Sequence, residues 1–136
     1  MSLTDRDYER LLEFRTTLRR FLHWSETHAR SAGLTPAQHQ LLLAVRGSTN
    51  DRGPTIGDIA DVLLLRHHSA VELVDRAQAA GLVRRTHDPN DHRQVRLHLT
   101  AHGARALDEL SEIHLEELGR LRHDWSRLLE PPAIGS

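Results

Sequence analysis

Arginine and histidine are the side chains of this 136-residue sequence best placed to do chemistry; there are 18 arginines and 11 histidines, with no lysine and no cysteine. A guanidinium pairs with phosphate or carboxylate through a planar fork. The net charge of -1 conceals an uneven distribution. Residues 66–105 hold seven arginines against four acids (Glu72, Asp75, Asp88, Asp91), and the rest of the chain holds 11 arginines against 15 acids. A locally basic stretch of this kind attracts a polyanion. The exclusive use of arginine can reflect base composition and carries no functional weight.

The histidines raise the question of zinc, which on a helix wants two ligands one turn apart plus further histidines or carboxylates. His23 and His28 are five apart, His67 and His68 are adjacent, and His114 and His123 are nine apart. No pair has one-turn spacing within a predicted helix. No metal and no cofactor are therefore expected, and the default is ordinary surface, core or interface histidines. Convergence from separate helices is the alternative. The lack of cysteine excludes disulfides, thiolate metal sites and thiol-based oxidant sensing. No Ser-His-acid set, phosphate-cradling glycine loop or helical His-Glu motif is visible, so an enzyme is not expected.

These side chains sit on elements that the sequence punctuates clearly. Residues 5–32 read as one long helix with Tyr8, Leu11, Leu12, Phe14, Leu18, Phe21 and Leu22 as its stripe, Thr4 as cap and Gly33 as stop. Thr35-Pro36-Ala37-Gln38 opens a second helix, apolar nearly all round through Leu41, Leu42, Leu43, Ala44 and Val45 and so expected in the core. Residues 47–54 are a loop. Thr55 caps a short helix through Leu63, with Asp58 near its positive end. The next helix spans about 67–80, burying Ala70, Val71, Leu73, Val74 and Ala77, and Gly81 stops it. Strands at 82–86 and 94–99 flank a polar tip at 87–93. A last long helix runs from Thr100 to about Leu129, with Leu107, Leu110, Leu118, Leu121, Trp125 and Leu128 as its stripe; His114 interrupts it and Pro131-Pro132 end it.

Two short helices, a sharp stop and an arginine-bearing hairpin form a winged helix-turn-helix, whose second helix suits a DNA major groove. The expected fold is mainly α with a small β-hairpin wing, and residues 1–136 form a single domain. The hairpin arginine Arg93 suits the minor groove, whose negative potential attracts arginine. His68 and Ser69, at a helix N-terminus, suit phosphates. Arg66 is similar, while Arg84, Arg85 and Arg96 are either phosphate contacts or a solvated face. Trp24, His28 and His39 lie where the first two helices could wall a ligand pocket, with core or interface filling the competing reading for Trp24.

At this point the residues resemble the MarR family of bacterial transcription regulators. The resemblance is carried by Asp91-His92-Arg93 through Leu97-His98-Leu99-Thr100-Ala101-His102-Gly103 and by Gly81-Leu82-Val83-Arg84-Arg85. Ile59-Ala60 and Leu73-Val74-Asp75-Arg76 add to it. It implies a homodimer in which terminal dimerisation helices at 5–33 and 100–130 flank a DNA-binding region at 34–100. It implies binding to a near-palindromic double-stranded DNA operator, with Arg93 in the minor groove and Asp91 orienting it. Arg66, His67, His68, Ser69 and Glu72 then map onto the groove-facing start of the recognition helix. It also implies a repressor that releases DNA when a small, often aromatic and acidic effector binds. Leu64 stands at the turn where the family often has glycine, which predicts altered geometry there. Glu72, where a basic or small residue is common, bears on base preference, since a carboxylate can accept from a cytosine amino group.

The expected function is thus a sequence-specific DNA-binding transcriptional regulator. The competing reading is a winged-helix protein-interaction module without specific DNA binding. No run of 18 or more apolar residues exists, and the first residues lack the basic and apolar regions of a signal peptide, so a cytoplasmic location without membrane association is expected.

Overall fold

The computed structural model describes residues 2–91 and 93–130. In chain order the elements are α1 (Asp5–Ser31), α2 (Pro36–Arg46), α3 (Ile56–Leu63), α4 (His67–Ala79), β1 (Val83–His87), β2 (Val95–Leu99) and α5 (Ala101–Leu128). Threonine writes most of the helix starts. Thr4, Thr35 and Thr55 each accept from the amide three residues on, and the side chains of Asp7, Gln38 and Asp58 return the bond to the cap's own amide. Each such box satisfies two N–H groups that the helix geometry leaves without partners. Thr100 caps α5 through the amide of Gly103 at 3.0 Å. The expected stop at Pro131-Pro132 lies outside the described residues.

The expected altered turn between α3 and α4 does not occur. Leu64 takes the left-handed conformation, φ 56° and ψ 45°, that glycine would supply. The amide of Leu65 then reaches back to the Ala60 carbonyl at 2.9 Å and closes α3. A left-handed conformation strains a residue with a β-carbon. The Leu64 side chain, 91% exposed, meets nothing that resists this conformation.

The core lies where α2, α3, α4, the first turns of α5 and the hairpin converge. Leu41, Leu42, Ile59, Val74, Leu82, Leu97 and Leu110 are fully buried there. On α4, Ala70, Val74 and Ala77 are buried, while Val71 and Leu73 are half-buried. The hairpin is antiparallel with Val83 opposite Leu99 and His87 opposite Val95. A further segment joins it: Leu97 donates to the Pro54 carbonyl at 2.9 Å, and Thr55 bridges to Arg96.

The long helices α1 and α5 pack together through Phe14 and Trp125, edge to face at 5.6 Å. Trp125 therefore has a partner within its own chain. Arg127 pairs with Glu13 across the same contact. Much of the expected α1 stripe is exposed all the same, including Tyr8, Leu11 and Leu12, and so are Leu115 and Leu118 of α5 and Leu129 just after it. Among the described residues, no helix is long and apolar enough to cross a membrane.

Candidate nucleic-acid interface

Helix α4 differs from the other four in its first turn. Arg66 occupies the cap position and makes no side-chain cap bond, whereas threonine caps the rest. The first-turn N–H groups are thus left for an outside acceptor, at the end of the helix where the dipole favours an anion. Arg66, His67, His68 and Glu72 are exposed around this turn, and Ser69 is half-buried. The structure therefore gathers five of the residues singled out from the sequence at one end of one helix.

The tip of the hairpin presents Arg93, whose side chain is 94% exposed. Asp91 accepts from the Arg93 amide at 3.1 Å and from its Nε at 3.4 Å. One carboxylate thus fixes both the turn and the direction in which the guanidinium leaves it. The other three hairpin arginines diverge. Arg84 is exposed. Arg85 is held by Asp75 at 2.5 Å and also donates to Gln78, both on α4. Arg96 turns inward, with its side chain only 12% exposed. It donates to Asp88 at 3.2 Å, to the Gln94 side chain at 2.8 Å and to the Gly53 carbonyl at 3.3 Å. Arg85 and Arg96 are therefore joined to the fold itself, unlike Arg84 and Arg93.

Asp88 was not singled out from the sequence, yet its side chain is only 3% exposed. The Asn90 amide is the largest influence holding its carboxyl below the usual carboxylate range, with Arg96 and Arg52 adding to it against the opposing effect of burial. The signal available was an acid directly before a proline at the foot of a polar tip. Its partners Arg52 and Arg96 are remote in sequence or read as surface.

A second polar cluster lies between α1, α2 and α5. The rings of Trp24 and His28 are 4.4 Å apart, those of Trp24 and His114 4.9 Å, and those of His39 and His114 4.9 Å. His114 Nδ1 lies 2.7 Å from the Leu110 carbonyl, which can only accept, so this nitrogen carries the proton. Its Nε2 lies 2.7 Å from Ser25 Oγ, within hydrogen-bond distance of that hydroxyl. Burial and then the neighbouring His114 push the pKa of His39 down. A cavity of about 1250 Å³ opens beside this cluster, walled by Phe21, Leu43, Val62, Leu118, His39 and His114 among others. Of the three residues expected at a pocket, His39 lines it; Trp24 packs against His114 and His28 against Trp24, outside the lining. His114 was missed as a site residue, although its interruption of the α5 stripe was the visible sign. Among the described residues, no group of three histidines, cysteines or carboxylates could hold a metal ion.

With this geometry in view, residues 32–94 match the model of the MarR family. The chain is similar to that family over these 63 residues. The match spans α2 through the hairpin tip, the region that carries both α4 and Arg93. An HTH-type transcriptional regulator of Bacillus subtilis is 39% identical over 56 residues, which is 41% of this chain and 38% of that protein. The matched segment thus spans well under half of that relative. The MarR-family regulator AbsC of Streptomyces coelicolor shares 25% identity and a TM-score of 0.74, over 96% of this chain and 86% of its own. A mutant of Staphylococcus aureus MepR, solved bound to an oligodeoxyribonucleotide, shares the fold with a TM-score of 0.68 at 21% identity, over 90% of this chain and 84% of its own. The fold shared with these solved structures thus extends across the long terminal helices, beyond the matched segment. Its winged helix-turn-helix comprises α2, α3, α4 and the hairpin.

Proposed function

We propose that this chain is a MarR-family, sequence-specific, double-stranded DNA-binding transcriptional regulator that acts as a homodimeric repressor on a near-palindromic operator. The observation that carries the reading is the pairing of an uncapped, exposed first turn of α4 with a wing-tip arginine oriented by its own carboxylate. Helix α4 enters the major groove, where Arg66, His67, His68 and Ser69 meet phosphates and base edges. Arg93 enters the adjacent minor groove and Arg84 meets the backbone. Glu72 accepts from a cytosine amino group and so weighs on base preference. The exposed apolar residues of α1 and α5 support pairing of the terminal helices, which gives two α4 helices related by a two-fold axis and hence a palindromic site. The cavity beside His39 and His114 holds a small effector whose binding lowers the affinity for DNA.

Fluorescence anisotropy against duplexes tiling the upstream region of its own gene, with a random duplex as control and a salt series, tests this. One duplex should bind tightly, with an affinity that falls steeply as salt rises. Equal, weak binding to every duplex would sink the reading in favour of a protein-interaction module, and a pull-down would then be the next step.

A further inference from the structure

We infer that Asp88 is the positioning residue of the wing, holding through Arg96 and Arg52 the place from which Arg93 reaches DNA; the inference rests on the DNA-binding reading above. Asp88 lies at the foot of the hairpin tip, and its carboxylate serves three chain segments. One oxygen accepts from the Asn90 amide at 2.9 Å, which sets the first turn of the tip. The other accepts from Arg96 on β2 at 3.2 Å and lies 3.5 Å from Arg52 in the loop 47–54. The backbone of Asp88 closes the tip by donating to the Gln94 carbonyl at 3.0 Å.

Arg96 shows how much depends on that carboxylate. Its Nε is buried without a protein partner, and its two terminal nitrogens are divided among Asp88, Gln94 and Gly53. Without Asp88, the guanidinium would be a buried charge lacking its counter-ion, and it would move outward to water. The loop is equally committed. Gly53 holds φ at +91°, and a β-carbon there would meet the Leu97 carbonyl at 2.7 Å. The loop therefore lies directly against β2, and the Asp88–Arg96–Arg52 set joins it to the tip. Arg93 sits two residues beyond Asp91 on that tip and inherits its placement.

Charge supplies a test with opposite signs. An acid in a wing that approaches phosphates weakens binding by repulsion, so charge alone predicts that Asp88→Asn binds DNA more tightly. A positioning role predicts weaker binding. The full-length protein would first select a duplex from a random-sequence pool. On that duplex, Asp88→Asn should bind about tenfold more weakly, comparable to losing one groove contact, with an unchanged salt slope. Arg93→Ala should weaken binding and lower the salt slope by about one. Asp88→Asn added to Arg93→Ala should cost nothing more, which a general loss of structure would not produce. Should Asp88→Asn fail to fold, Arg52→Gln leaves Asp88 and Arg96 in place and unlinks only the loop. It should weaken binding in the wild-type background and not in Arg93→Ala. Unchanged or tighter binding by Asp88→Asn, or an equal loss in the Arg93→Ala background, would overturn the positioning role while leaving DNA binding intact. Failure of the wild-type protein to select any sequence would overturn the DNA-binding reading and this inference with it.

Discussion

The same substitution at two glycines of α5 should shift stability in opposite directions. Gly103 lies in the first turn, where α5 presses on the start of β1. A β-carbon there would fall 2.1 Å from the Leu82 carbonyl oxygen, whereas real contacts stay above 3.0 Å. Strand and helix must therefore part by about 0.9 Å in Gly103→Ala. That movement strains the bond from the Thr100 amide to the Leu82 carbonyl and the one from Thr100 Oγ1 to the Gly81 carbonyl. Each hydrogen bond is worth about 1 kcal/mol net, and forced repacking around the fully buried Leu82 adds about 1–3 kcal/mol. Alanine returns about 1 kcal/mol through its helix propensity. The net cost is about 2–4 kcal/mol. Gly119 meets nothing within 4 Å, so Gly119→Ala keeps only the propensity gain and should stabilise by up to about 1 kcal/mol. Urea unfolding followed by far-ultraviolet circular dichroism, at one fixed protein concentration, reads both. If Gly103→Ala unfolds at the same or a higher urea concentration than wild type, the close approach of α5 to β1 is wrong.

Leu64→Gly should stabilise by about 0.5–1 kcal/mol, because relief of the left-handed strain exceeds the entropy that glycine adds to the unfolded chain; an unchanged or lower urea midpoint would mean that Leu64 makes a contact worth keeping. Leu41→Ala should cost about 2–5 kcal/mol, since that side chain is fully buried in the core, and a midpoint close to wild type would contradict its place there. Burial and His114 lower the pKa of His39, and burial and Arg84 lower that of His98, so the unfolded chain binds these protons first as pH falls. Their contribution is complete above the unfolded value of about 6.5 and is lost progressively as pH drops from there through the lowered folded values. Unfolding free energy measured between pH 7.5 and 5.5 should fall with pH and fall less in His39→Phe; an equal slope in both proteins would remove His39 from the account.

The helices were legible because their ends are local chemistry. Thr35-Pro36 and Thr55 with Asp58 fix α2 and α3 within a residue, and Gly81 stops α4 as expected. Strand alternation also separated Val95, Leu97 and Leu99 correctly from Arg96. It did not show that the face carrying Arg96 is covered, because the cover comes from residues 52–54, more than 40 positions earlier. The sequence left Arg85 between a phosphate contact and a solvated face for the same reason, since Asp75 and Gln78 reach it from another element. The His39–His114 contact spans 75 positions, and neither residue announces the other. Leu64 illustrates the reverse case. Its residue type argued against the left-handed conformation, and the connection between two packed helices imposed it. Local patterns thus defined the elements, and long-range pairing decided which polar side chains remained available.

The loop 47–54 has a consequence for how this domain can be recombined. Ser48, Thr49 and Asn50 line the cavity, while Arg52, Gly53 and Pro54 hold β2 and Asp88. A hairpin transplanted from a relative at residues 83–99 would arrive without the segment that anchors it, and would keep its sequence while losing its orientation. The exchangeable unit includes residues 52–55 together with the hairpin. This connection should therefore resist insertions as a strand does, although its run of glycine, serine, asparagine and proline looks like a loop that would accept them.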